Sequence, residues 1–156
     1  MKHTNIQILI LRLVAGLLFL HMGIQKYNEG WFSSSVHLQT ALAGYEQQAT
    51  GYHKLYMDSV ALPHAGVWSR TIPAGEFLLG SSLVLGCLVP VATVAGIFML
   101  INFCAANGSL YSFAFFETPW SALILATLLI LLLARAGRWA GIDSLLAKKK
   151  SKSIFW

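Results

Sequence analysis

The chain has 156 residues, room for one domain. Hydrophobic residues make up 56% of it and charged residues 11%, against roughly 25% charged in a soluble domain; so few charges cannot coat a folded surface in water, and a soluble globular protein is excluded. The formal net charge is +5, but the basic excess is concentrated in a terminal run with no folded basic face beside it, so nucleic acid is not an expected partner.

The first apolar segment runs from about Ile6 to Gln25. Twenty helical residues rise roughly 30 Å, the thickness of a bilayer's hydrocarbon core. The stretch is long for a signal peptide, carries a central Arg12, and is followed by no A-x-A cleavage site, so it reads as a retained helix. The next forty-odd residues form a loop with helical periodicity. Leu38, Leu42, Tyr45, Ala49, Tyr52, Tyr56 and Ser59 share one face, which predicts an amphipathic helix ending before Pro63, with tyrosines suited to the membrane interface. It is expected to lie over the outer face as a lid or to pack on a partner.

The second apolar segment spans about Ile72–Leu88 and the third about Val91–Ala106. Pro90 lies between them, so these two helices must be antiparallel neighbours. The fourth segment, about Trp120–Ala134, is nearly pure Leu, Ile and Ala, with Pro119 near its first turn, where a missing N–H costs little. Lys148, Lys149, Lys150 and Lys152 then form a basic tail over residues 148–156, read as a topology signal attracted to anionic lipid headgroups. The fold class expected is all-α: a four-helix transmembrane bundle over residues 1–147, with an amphipathic helix in its first outer loop.

Orientation follows from the distribution of Lys and Arg. With the N-terminus inside, Lys2, Arg135, Arg138 and the tail lysines are cytoplasmic, while Lys26, Lys54 and Arg70 are spread among the acids Glu29, Glu46, Asp58 and Glu117 outside. The expected location is a bacterial or archaeal cytoplasmic membrane, with multiple passes and both termini in the cytoplasm.

Ionisable residues within membrane helices are costly and mark function by default. Of the six acids, only Glu76 lies in a spanning segment and only Asp143 is cytoplasmic. Arg12 sits roughly 9 Å above the inner boundary and Glu76 roughly 6 Å below the outer one, too far apart to pair directly. Lys26 emerges at the level of Glu76, which predicts a Lys26–Glu76 contact. Arg12 is then left with Asp143, helix carbonyls or lipid phosphates, or snorkels to the inner headgroups.

Arg12, Gly16, Phe19, Gly23 and Lys26 share a face of the first helix, which is expected to point inward because small residues allow close approach. His21 lies on the opposite face, either bonded within the bundle or reaching the outer interface, or else meeting a partner subunit or headgroup. Ala95, Met99, Asn102 and Ala106 align in the third helix and put Asn102 near mid-depth. Asn102 either glues helices together or contacts a quinone ring, with His21, Lys26 and Glu76 as further donors or a proton relay. Cys87 and Cys104 read as packing residues, and no CxxC, zinc spacing or haem-type histidine pair occurs.

Three motifs resemble one family. Leu11-Arg12-Leu13-x2-Gly16-Leu17-Leu18-Phe19-x3-Gly23-x2-Lys26 is similar to the first helix of the DoxX/DoxD membrane proteins, and Glu76-Phe77-Leu78-Leu79-Gly80 with Leu83-x-Leu85-Gly86 to their second. Ala136-Gly137-Arg138-Trp139-x-Gly141-Ile142-Asp143 resembles their closing signature, with Trp139 where Tyr is usual, and Asn102-Phe103 resembles the third helix of the DoxD branch. The resemblance implies a membrane subunit of a quinone-linked redox complex, with thiosulfate as a substrate of the DoxD branch, or else a non-catalytic accessory subunit of a larger respiratory or photosynthetic complex. It carries over Arg12, Lys26, Glu76 and Asp143, the first and last as a structural ion pair. The implied cofactor is a membrane quinone, with none bound covalently and no metal. The implied partners are the bilayer and other membrane-complex subunits. No thiosulfate-binding cluster stands out in the outer loop, where His37, His53, Lys54, His64 and Arg70 are the residues that could attract an anion.

Overall fold

The computed structural model describes residues 2–112, 115, 119–138 and 141–149. The described residues form helices and connecting turns. In chain order these are α1 (Lys2–Asn28), α2 (Val36–Glu46), α3 (Gly51–Tyr56) with a π-type turn Met57–Ala61, α4 (Ala65–Leu85), α5 (Val89–Ala106), α6 (Pro119–Leu133) and α7 (Ile142–Lys149), with single 3₁₀ turns at Ser109–Tyr111 and Ala136–Arg138. Residues Ile6–Asn28 of α1 and all of α5 are long and apolar enough to cross a bilayer. Glu117, Trp139 and residues 150–156 of the basic tail lie outside the described residues.

The four longest helices pack side by side: α1 along α4, α4 against α5, α5 against α6, and α6 back onto α1. Their shared core is Ala15, Leu79, Leu83, Val89, Leu131 and Ala136. The predicted inward face of α1 is the buried one: Arg12, Gly16 and Gly23 are buried, while Val14, Leu17, Leu18 and His21 are exposed. Glycines set the α1–α4 spacing. A Cβ on Gly80 would lie 2.7 Å from the Gly16 carbonyl oxygen, and one on Gly23 would lie 2.8 Å from the Phe77 nitrogen. Each helix therefore presses backbone against backbone.

Helix α4 starts at Ala65, a turn and more before the predicted Ile72. Hydropathy stops at the polar run Ser69-Arg70-Thr71, but the hydroxyls there bond back into their own helix, Ser69 to the Gly66 carbonyl (3.0 Å) and Thr71 to that of Val67 (2.8 Å). Pro73 is accommodated within the helix, where it removes one N–H. The α4–α5 turn lies earlier than predicted, at Gly86–Leu88, because Pro90 belongs to the first turn of α5. The chain reverses at Gly86 (φ +64°) and at Leu88 (φ +54°), a conformation that costs a branched residue.

The predicted amphipathic loop helix is two helices. Extended Thr50 and Gly51 (φ +55°) interrupt it, and the interruption shifts the helical phase. Leu38, Leu42 and Ala49 are buried as their spacing predicts. Beyond the break, Tyr52 is 80% exposed and His53 takes the inward position, followed by Met57 and Ala61. This lid sits with α2 on α4 and α3 on α5, over a second core of Leu38, Leu42, Ala49, Met57, Ala61 and Ala65.

The glycine contacts make a direct test. Gly80→Ala forces α1 and α4 apart and is expected to lower stability by about 1–3 kcal/mol. Gly44→Ala, in open space on α2, is expected to be neutral or stabilising by up to about 1 kcal/mol. Unfolding in detergent micelles measures both; equal stability of Gly80→Ala and the native chain would contradict the packing described.

Candidate functional site: two charged centres and a lid cavity

Inward-facing charged residues of α1 lie at two levels, Arg12 and Lys26, 14 residues and so about 21 Å apart. At the lid end, Lys26 Nζ donates to both Glu76 oxygens, at 2.7 and 2.8 Å. Glu76 is only 2% exposed. A charge here is stable only because its opposite lies against it. The α1–α4 glycine contact brings the two stems together, since Gly23 is one turn from Lys26 and packs at Pro73–Phe77. The Lys26 ammonium also faces the Trp31 ring at 5.6 Å, a cation–π distance. Trp31 is fixed in turn by its Nε1–H, which donates to Glu29 (3.0 Å); hydrogen bonds from Gln25 and Trp31 hold the Glu29 carboxyl below the usual carboxylate range.

At the opposite end Arg12, 1% exposed, donates from Nη1 to the Ala136 carbonyl (2.8 Å) and lies within electrostatic reach of Asp143. Asp143 is fully buried and does a second job. Its carboxylate accepts the Leu88 N–H (2.7 Å) and the Val89 N–H (3.0 Å), while its own N–H donates to the Gly86 carbonyl (2.9 Å). A side chain from the start of α7 thus caps α5, and its negative charge suits the positive helix end. Glycines leave room for both groups: a Cβ on Gly137 in the closing motif would collide with the Asp143 carboxylate, and one on Gly86 in the α4–α5 turn would lie 2.7 Å from Arg12 Nη1.

Beneath the lid lies a partly open cavity of about 310 Å³. Its walls come from α2 (Leu38, Leu42, Tyr45), from the lid's Tyr56, from α4 (Trp68, Ile72, Gly75) and from α5 over Ala95–Ala106. That stretch of α5 makes it a slot roughly 17 Å long. The α5 face picked out by Ala95, Met99, Asn102 and Ala106 is therefore the cavity face, while Val89, Thr93, Gly96 and Cys104 point to the core. Asn102 lies about one turn from the end of α5, which is at Ala106 as predicted. Its Oδ1 accepts the Tyr56 hydroxyl (2.9 Å) and its Nδ2 donates to the Phe98 carbonyl (2.8 Å). Burial and the neighbouring Tyr111 push the Tyr56 phenol above its ordinary range, so it remains a donor. One turn earlier, His53 Nε2 meets the Ala106 carbonyl (2.9 Å) and its ring stacks on Tyr111.

The four polar candidates therefore do not form one cluster. Lys26 and Glu76 pair, Asn102 lines the cavity, and His21 stands exposed on the far side of α1. The outer-loop cations do not converge either: His53 packs on α5, Lys54 is 3.7 Å from Asp58, and Arg70 donates to the Phe32 carbonyl. Sequence reasoning does not include Tyr56 or Trp31 among the candidate site residues. Helical spacing puts Tyr56 on the inward face of the lid, but its pairing with Asn102 depends on how the lid docks on α5.

Helices long and apolar enough to cross a bilayer, buried charged side chains among them and an apolar cavity beneath the lid make the described residues those of an all-helical membrane protein. The chain belongs to the DoxX family, whose model matches residues 7–107, from the first turns of α1 to the end of α5. No curated protein and no solved structure gives a match.

The buried pair predicts a particular pattern of stabilities. Lys26→Met strands the Glu76 carboxylate and is expected to cost about 3–5 kcal/mol. The double change Lys26→Met/Glu76→Leu is expected to recover most of that loss. Thermal unfolding in micelles checks this; a double variant as unstable as the sum of its singles would show that the pair is not what the two residues contribute.

Proposed function

We propose that the chain is an integral membrane subunit of a quinone-linked redox complex, folded as a four-span bundle of α1, α4, α5 and α6 with both termini cytoplasmic. The observation that carries the reading is the cavity: a slot walled by Leu, Ile, Met and aromatic side chains with one amide–phenol couple set into it. Binding sites for large neutral rings have this make-up, mostly apolar with a few fixed polar groups. A bound quinone supplies acceptance of two electrons and two protons. The chain's own residues supply the slot, the hydrogen-bonding group at its wall and a lid at the level where Lys26 and Glu76 sit. Thiosulfate, an anion, has no counterpart among the cavity's lining residues, none of which is charged; in this reading its oxidation belongs to a partner subunit.

The reading is tested with the protein in lipid nanodiscs, titrated with a short-chain 1,4-benzoquinone while tryptophan fluorescence is followed, since Trp31 and Trp68 line the slot. Saturable quenching is expected, weakened at least roughly tenfold by Ala95→Phe, which fills part of the slot (about 1.4 kcal/mol). Quenching that never saturates, or that Ala95→Phe leaves unchanged, would sink the proposal.

A second reading, an accessory subunit of a larger complex, is favoured by His21, which stands exposed among the apolar Leu17, Leu18 and Ile24 of α1. A polar group there is unwelcome in lipid and suits a partner helix. His21→Leu is then expected to reduce recovery of associated subunits in gentle purification; unchanged recovery would remove that support.

A further inference from the structure

The cavity offers a ligand far fewer hydrogen bonds than its lining suggests. Trp31 Nε1–H is committed to Glu29, Trp68 Nε1–H to the Val60 carbonyl (3.3 Å), and the Thr71 hydroxyl to the Val67 carbonyl. Asn102 differs. An amide nitrogen carries two protons. One serves the Phe98 carbonyl, and Oδ1 is occupied by the Tyr56 hydroxyl. These two bonds together fix which way the amide faces and leave its second N–H as a donor at the slot wall.

Resting on the quinone reading above, we infer that Asn102 anchors the ring at one end only, donating its second N–H to one of the two carbonyl oxygens, with Tyr56 as the positioning residue that locks the amide. The other carbonyl oxygen has no fixed donor beside it, the remaining uncommitted hydroxyl of the lining being that of the 39% exposed Tyr45, so the two ends of a symmetric ring become inequivalent on binding. Tyr56 belongs to the lid and Asn102 to α5, so the anchor is complete only while the lid is docked. His53, bonded to the Ala106 carbonyl one turn away, keeps the lid in place when the phenol is altered, and this separates the positioning role of Tyr56 from a purely structural one.

The experiment is infrared difference spectroscopy of a ¹³C-carbonyl-labelled, symmetric short-chain 1,4-benzoquinone bound to the full chain in nanodiscs, with its affinity measured in parallel. The native chain is expected to give two carbonyl bands, one at lower frequency. Asn102→Leu is expected to merge them into one. Tyr56→Phe is expected to broaden the lower band and to weaken binding roughly threefold to tenfold, the range of one net hydrogen bond. Saturable binding with a single carbonyl band in the native chain, or a split that both variants leave intact, would overturn the inference while the quinone reading stands. Absence of saturable binding to the native chain would overturn both. A Tyr56→Phe variant that loses affinity but keeps a sharp native split would also overturn it, because Tyr56 would then hold the lid and not the amide.

Discussion

The near-contact of α1 and α4 governs the rest of the structure. Gly16, Gly23 and Gly80 remove the side chains that would otherwise hold these helices apart. In a bilayer, helices gain little by hiding apolar surface from lipid that is equally apolar, so close van der Waals packing and polar pairing must hold them together. The glycine seam supplies the first and makes the second possible. It sets Lys26 directly over Glu76 at one end. At the other end it brings Arg12 under the α4–α5 turn, beside Gly86 and the Ala136 carbonyl. The charges that look forbidding in a hydropathy profile therefore sit where the backbones are closest.

The lid obeys a different logic. It buries a core of its own and is tied to α5 through two side chains one turn apart, His53 and Tyr56, which meet Ala106 and Asn102. Nearly every polar group it turns inward is spent on protein partners. The slot that remains is largely apolar along its length, with the Asn102–Tyr56 couple and the Tyr45 hydroxyl as its polar points. Such a surface selects for shape and neutrality before anything else.

Much of this was legible in the sequence. The four apolar segments, the inward face of α1 and the meeting of Lys26 with Glu76 follow from helical geometry and from counting six acids. What was not legible depended on backbone events that hydropathy does not register. Back-bonding by Ser69 and Thr71 hides their polarity and lets α4 begin at Ala65. The left-handed Gly51 resets the lid's phase, turning Tyr52 out and His53 in, so a regular 3.6-residue count through residues 38–59 finds Tyr45 and Tyr56 but wrongly includes Tyr52 and misses His53. For Asp143, a pairing with Arg12 was among the options, but its bonds to the Leu88 and Val89 nitrogens were not. Capping of a helix by a residue distant in sequence has no local signature.

That distant cap has a bearing on how the molecule is made. Leu88 and Val89 receive their acceptor from a residue synthesised 55 and 54 positions later. A chain folds from its N-terminal side as it leaves the ribosome, so α4 and α5 can reach the bilayer while the reversal between them still lacks its carboxylate and Leu88 must hold its left-handed conformation unsupported. Only when the segment after α6 arrives does the hairpin acquire its final hydrogen bonds. The Asp143 segment thus closes the assembly, and a chain interrupted before it would present an unfinished hairpin to the proteases that survey newly inserted membrane proteins.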